Sequence, residues 1–103
     1  MNIFAVLADS TRLGIVEMLG EGERTAGAIG ERFLISAPAI SQHLKTLREA
    51  GLVRVRIDGQ RRIYSLDPEG FVEMERWFAK MRGFWGGRLD ALERALGEEG
   101  EKR

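Results

Sequence analysis

The sequence predicts a mainly helical α+β domain with one two-stranded β-hairpin, and three observations lead there. Apolar residues recur at helical spacing from residue 3 to residue 50, a stretch of period two follows at 52–66, and helical spacing resumes after Pro68. The chain of 103 residues, 44% hydrophobic and 31% charged, is enough for one hydrophobic core and not for two. Residues 1–97 are therefore assigned to a single domain, and residues 98–103 to a charged, fraying tail.

The first helix spans Ile3 to Ala8, with Ile3, Phe4 and Leu7 able to share a face. Asp9 or Ser10 then offers an N-cap to a second helix that carries Leu13, Ile15, Val16 and Leu19 and ends at Gly20-Glu21-Gly22. Thr25 caps a third helix through Phe33, in which Gly27 and Gly30 lower helix propensity and admit a close neighbour. Ser36 caps the fourth, and Pro38 falls in its first turn, where a missing N–H does no harm. In this helix, which runs to Ala50, Ile40, Leu44 and Leu47 make an inward stripe. Ala39, Ser41, Gln42, Lys45 and Arg48 face away, with His43 and Thr46 on the flanks. Gly51 supplies the left-handed residue that ends it.

In the period-two stretch Val53, Val55 and Ile57 alternate with Arg54 and Arg56, the pattern of a half-buried strand. Arg62 to Leu66 is the returning strand. Pairing Val53 with Leu66 and Val55 with Tyr64 puts these four on one face, leaves a loop at 58–61, and sets Arg61 and Arg62 at the tip. After Pro68, Phe71, Met74, Phe78, Met81, Trp85, Leu89, Leu92 and Leu96 form a heptad-like stripe that Trp77 and Phe84 widen. Gly83 and the Gly86-Gly87 pair predict a kink or break.

Lys and Arg total 16, as do Asp and Glu, so the formal net charge is zero. The charge is nevertheless segregated: −2 over residues 1–40, +4 over 41–66 and −2 over 67–103. The absence of cysteine excludes disulfides, thiolate nucleophiles and cysteinyl metal sites, and a single histidine, His43, excludes a multi-histidine site within the chain. Ser41 and His43 on one helix do not converge with a third group as a catalytic triad must, and no phosphate loop or dinucleotide fingerprint is present. No enzyme activity and no cofactor are expected. No apolar run is long enough to span a membrane and the N-terminus lacks a secretory signal pattern, so a cytoplasmic protein is expected.

Three helices, a hairpin and a last helix, with the positive charge on the fourth helix and hairpin, follow the plan of a winged helix–turn–helix. A helix held by an apolar inner stripe can offer its polar face to a major groove about 12 Å wide, while a basic hairpin follows the backbone toward the minor groove. The stretches AVLADSTRLGIVEML, SAPAISQHLKTLREAGLV and DGQRRIYSLDP, in that order, resemble the N-terminal signature, recognition helix and wing of ArsR/SmtB-type bacterial transcriptional regulators.

The resemblance implies a homodimeric winged-helix repressor that binds a palindromic operator in double-stranded DNA. Ala39, Ser41, Gln42 and His43 match the family's base- and phosphate-contacting positions, and Lys45 is placed to reach a phosphate. Gln42 is the leading base reader, since an amide can bond bidentately to adenine. Arg61 and Arg62 match the wing tip, and Arg54 and Arg56 are further backbone candidates. The terminal helices would form the dimer interface, through Ile3, Phe4 and Leu7 of the first and Met74, Trp77, Phe78, Met81, Phe84, Trp85, Leu89 and Leu92 of the last. Metal sensors of this family use cysteine pairs on the third helix or Asp/His/Glu sets on the last. Here neither set exists, and Glu69, Glu73, Asp90 and Glu93 read as solvated helix charge, so no metal site is expected and the last helix looks like that of the non-metal branch. A winged helix that binds a protein partner, or an architectural DNA-binding protein without sequence choice, are the alternatives.

Overall fold

A computed structural model describes residues 2–101, without the side chains of residue 89 and of residues 98–101. The chain forms two compact units, residues up to Val72 and residues from Glu73.

In the first unit, α1 (Ile3–Leu7) starts at Asn2, whose side-chain oxygen accepts the Phe4 N–H at 2.9 Å. Its buried residues are Ile3 and Val6. Phe4 is exposed and Leu7 half-buried, so the inward face lies one position away from the expected set of Ile3, Phe4 and Leu7. In a helix this short the i, i+3 pair alone decides which side turns to α2. Asp9, not Ser10, caps α2 (Ser10–Gly20), accepting the N–H groups of Thr11 and Arg12 at 2.9 and 3.0 Å. Ile15 and Leu19 are buried there, whereas Leu13 is exposed.

Thr25 caps α3 (Ala26–Phe33) as expected, and Ser36 caps α4 (Ala37–Glu49). Backbone packing is tightest away from the glycines singled out in α3. A Cβ on Gly30 would stand 3.8 Å from Ile40, an ordinary contact, and one on Gly27 would meet only Thr25 Oγ1 at 4.0 Å. Close approaches are at Gly14 of α2, where a Cβ would fall 2.7 Å from the Phe33 ring, and at Gly70, where one would collide with the Gly51 carbonyl oxygen.

Helix α4 ends in a Schellman motif: the Gly51 N–H bonds to Arg48 O at 2.9 Å and the Leu52 N–H to Leu47 O at 3.0 Å, with Gly51 at φ +77°. Leu47 and Leu52 are fully buried together with Ile15, Ile29 and Leu44, and this cluster is the centre of the core.

The sheet has three antiparallel strands in the order β1–β3–β2, one more than the expected hairpin. Strand β1 is only Arg24–Thr25, paired to Tyr64 and Ile63. Two residues are too few to show alternation, and Thr25 also serves as a helix cap. Strands β2 (Val53–Asp58) and β3 (Arg61–Leu66) pair in the expected register, Val53 with Leu66 and Val55 with Tyr64. The register runs on to Asp58 and Arg61, so the loop is Gly59-Gln60 and not four residues. Gly59 has φ +64°, which a two-residue hairpin with glycine first requires. Val53 is buried and Val55 half-buried, but Ile57, one pair short of the hairpin tip, is 72% exposed.

A 3₁₀ turn at Pro68–Phe71, capped by Asp67, leads into α5 (Val72–Glu101). The helix continues through Gly83, Gly86 and Gly87, so the break expected there is absent. Each glycine costs about 1 kcal/mol relative to alanine, and the leucines, alanines and arginines around them are strong enough helix formers to carry the ladder across. The tail expected from residue 98 begins inside α5, and residues 102–103 lie outside the described residues. No helix among the described residues is long and apolar enough to cross a membrane.

Candidate nucleic-acid interface

Helix α4 is two-faced. Ile40, Leu44 and Leu47 are at most 3% exposed and lock it onto the core. Ser41, Gln42 and Lys45 are exposed on the other side, and Ala39 and His43 are half-buried beside them. Ala39 donates its N–H to Ser36 Oγ at 3.3 Å, so only its methyl is available to a ligand. The Thr46 hydroxyl donates to the Gln42 carbonyl at 3.1 Å, leaving the Gln42 amide side chain as the free hydrogen-bonding group of that turn.

His43 is tied from behind. Arg12 Nη1 lies 3.5 Å from His43 Nδ1, and Arg12 Nε donates to the Val6 carbonyl at 2.7 Å. A guanidinium can only donate, so the contact is a hydrogen bond when the ring is neutral with its lone pair on Nδ1, and in that tautomer the Nε2–H is the donor left on the ring. Asp9 closes the group from the start of α2, its carboxylate 4.0 Å from Arg12 Nη1. The hydrogen bond from the Arg12 backbone N–H holds the Asp9 carboxyl below its ordinary value; desolvation opposes it, and the charge of Arg12 beside it lowers it further. Arg12 was not singled out from the sequence. Its partner His43 is 31 residues away, and no local pattern reveals the pair.

On the wing the four arginines differ. Arg56 Nη2 bonds to Glu23 Oε1 at 2.6 Å, an ion pair that raises the Arg56 pKa first through that hydrogen bond and then through the charge of Glu23. Ile63 is the cross-strand neighbour of both Arg56 and Thr25, so the pair bridges the sheet from β2 to the chain before β1. Arg61 is paired with Asp58 across the tip at 3.0 Å. Arg54 and Arg62 are exposed with no ion pair among the described residues.

The second unit is α5 alone. Trp77, Phe78, Phe84, Trp85 and Leu92 are 40–65% exposed, with Phe78, Trp85 and Leu92 at intervals of seven. Met74 and Met81 are half-buried, and the Leu89 side chain lies outside the described residues. Trp77 and Phe78 meet edge to face at 5.1 Å, as do Phe84 and Trp85 at 5.2 Å, and Arg88 lies 5.0 Å from the Trp85 ring centre. Of the α1 candidates, Ile3 is 8% exposed and already committed to its own core, whereas Phe4 is 42% exposed. Among the described residues, no three His, Cys, Asp or Glu side chains cluster as metal ligands would.

Residues 9–55 match the family described as bacterial regulatory protein, arsR family. The chain is 39% identical to the HTH-type transcriptional regulator Rv2034 of Mycobacterium tuberculosis over 92% of its own length and 86% of that protein. It is 38% identical to the transcriptional repressor SdpR of Bacillus subtilis over 74% of its length and 84% of that protein. Among solved structures it is similar to a possible transcriptional regulator for arsenical resistance, at 43% identity and TM-score 0.70 over 85% of this chain and 88% of that one. An ArsR-like transcriptional regulator from Rhodococcus sp. RHA1 superposes with TM-score 0.69 at 29% identity, covering 89% of this chain and 87% of that one.

Proposed function

The chain belongs to the ArsR family of bacterial DNA-binding transcriptional regulators, and from that membership we propose a homodimeric repressor that reads a palindromic operator with α4 in the major groove. The observation that carries this reading is the two-sidedness of α4: rigidly anchored through Ile40, Leu44 and Leu47, it leaves Ser41, Gln42 and Lys45 clear of the domain. Gln42 reads adenine through its amide, Ser41 and the Nε2–H of His43 bond to base edges or phosphates, and the Ala39 methyl packs against the groove wall. Lys45, Arg54 and Arg62 bind phosphates on either side.

The exposed aromatic stripe of α5 supports dimerisation, since a surface this rich in half-exposed tryptophan and phenylalanine is covered in a stable assembly. Phe4 and Leu7 of α1 add to the terminal-helix interface. A dimer is also a physical need, because one recognition helix and one wing bury too little surface for high operator affinity. The protein acts in the cytoplasm, where its DNA is. A cysteine-based metal switch has no ligands in this chain, which contains no cysteine.

Gel-shift titration against the gene's own upstream region tests the reading, with light scattering in parallel. A salt-sensitive, competitor-resistant shift by a dimer is expected. A monomer that shifts no duplex and instead captures a protein partner would overturn it.

A further inference from the structure

We propose that the DNA backbone is gripped chiefly at the junction of α4 and β2, where Lys45, Arg48 and Arg54 converge, rather than at the wing tip. The inference rests on the DNA-binding reading above and concerns where the phosphates sit. An open cavity of about 510 Å³ is lined by Lys45, Arg48 and Glu49 from α4 and by Val53, Arg54 and Val55 from β2.

Most of the unpaired positive charge of residues 41–66 collects there. Residues 41–66 hold six cations, of which Arg56 is engaged by Glu23 at 2.6 Å and Arg61 by Asp58 at 3.0 Å. Lys45, Arg48, Arg54 and Arg62 have no ion pair among the described residues, and three of these four line the one cavity. An arginine already paired brings less net charge to a phosphate than an unpaired one, although the N–H groups its carboxylate leaves free can still donate. At the junction the balance is more positive, with three cations against Glu49, whereas the tip sets Arg61 and Arg62 against Asp58.

The placement also suits the groove. Ser41, Lys45 and Arg48 stand at i, i+4 and i+7 of α4, so the face that begins at a base-reading residue leads directly into the cavity. A helix lying in the major groove has a row of phosphates along its flank, and this is the edge of α4 that turns toward the wing. Arg48 thereby becomes a DNA-contacting residue, and Glu49 the group that limits affinity.

The test uses the full chain and a fluorescent duplex carrying its selected operator, with anisotropy titrations over a range of salt. Arg48→Ala and Arg54→Ala are each expected to weaken binding and to reduce the slope of log K against log salt by about 0.9. Arg48→Lys is expected to keep the slope, and Glu49→Gln to tighten binding, an opposite change that general damage to the fold would not produce. Wild-type slopes in both Arg48→Ala and Arg54→Ala, with thermal melts showing folded proteins, would overturn the proposal while leaving DNA binding intact. Absence of salt-dependent binding by the wild type would overturn both this proposal and the DNA-binding reading.

Discussion

Arg12 joins the recognition helix to the start of the chain: Nη1 lies 3.5 Å from His43 Nδ1 on α4, while Nε donates to the Val6 carbonyl of α1 at 2.7 Å. One side chain on α2 thus touches both neighbouring helices. Replacing it by Met keeps the aliphatic stem and removes both contacts. Arg12→Met is expected to lower stability by about 1–2 kcal/mol, read as a lower urea midpoint with an unchanged m value. An unaltered midpoint would show that the Arg12 contacts contribute nothing.

Asp9 gives the same region a pH dependence. Its carboxyl is held below the ordinary 3.8, first by the Arg12 backbone N–H, so the folded state binds this proton less readily than the unfolded chain. The stabilisation is complete above 3.8 and is lost as pH falls through the lowered value. Asp9→Asn preserves a cap without the charge and is expected to flatten the decline of stability below that pH. Asp9→Ala is expected to cost about 1 kcal/mol at neutral pH. Thermal melts from pH 2 to 7 check both.

Leu34 sits in the turn between α3 and α4 at φ 54° and ψ 36°, the only non-glycine residue with positive φ among those described, and it is 90% exposed. The left-handed conformation costs a branched side chain about 1–2 kcal/mol, and almost no packing is present to offset that. Leu34→Gly is therefore expected to raise the melting temperature by about 5 °C. A lower melting temperature would mean that the exposed leucine stabilises the turn in some other way.

Gly70 meets the backbone of Gly51, and a Cβ there would collide with the Gly51 carbonyl oxygen. Neither atom belongs to a flexible side chain, so the clash has no cheap relief. The contact closes the corner where the Asp67 N–H bonds to Leu52 O at 2.9 Å. Gly70→Ala is expected to destabilise the domain by about 1–3 kcal/mol in denaturant titration. Gly83→Ala, with nothing within 4 Å of its added carbon, is expected to be neutral or stabilising.

The contrast between those two glycines shows what sequence patterns carry. Helix α4 was legible from end to end: Ser36, the stripe of Ile40, Leu44 and Leu47, and Gly51 each state a local rule, and local rules survive folding. The hairpin register followed from alternation for the same reason. Strand β1 offered two residues and no period, and it exists because Tyr64 and Ile63 present an edge to it. The inward face of α1 and the exposure of Ile57 depend on where neighbours end. At the candidate site the polar face of α4 could be read directly, but the division of the arginines could not. Glu23 and Arg56 are 33 residues apart, and their pairing is a property of the sheet rather than of either segment.

The most direct test of sequence-specific operator binding is selection of preferred duplexes from a random pool by the purified wild type, repeated with Gln42→Ala. The expected result is a palindrome with half-sites about 34–36 Å apart, one helical turn, and loss of base preference at one position per half-site in the variant. Enrichment of no motif, or of the same motif with undiminished preference by Gln42→Ala, would contradict the assignment of α4 as the reading head.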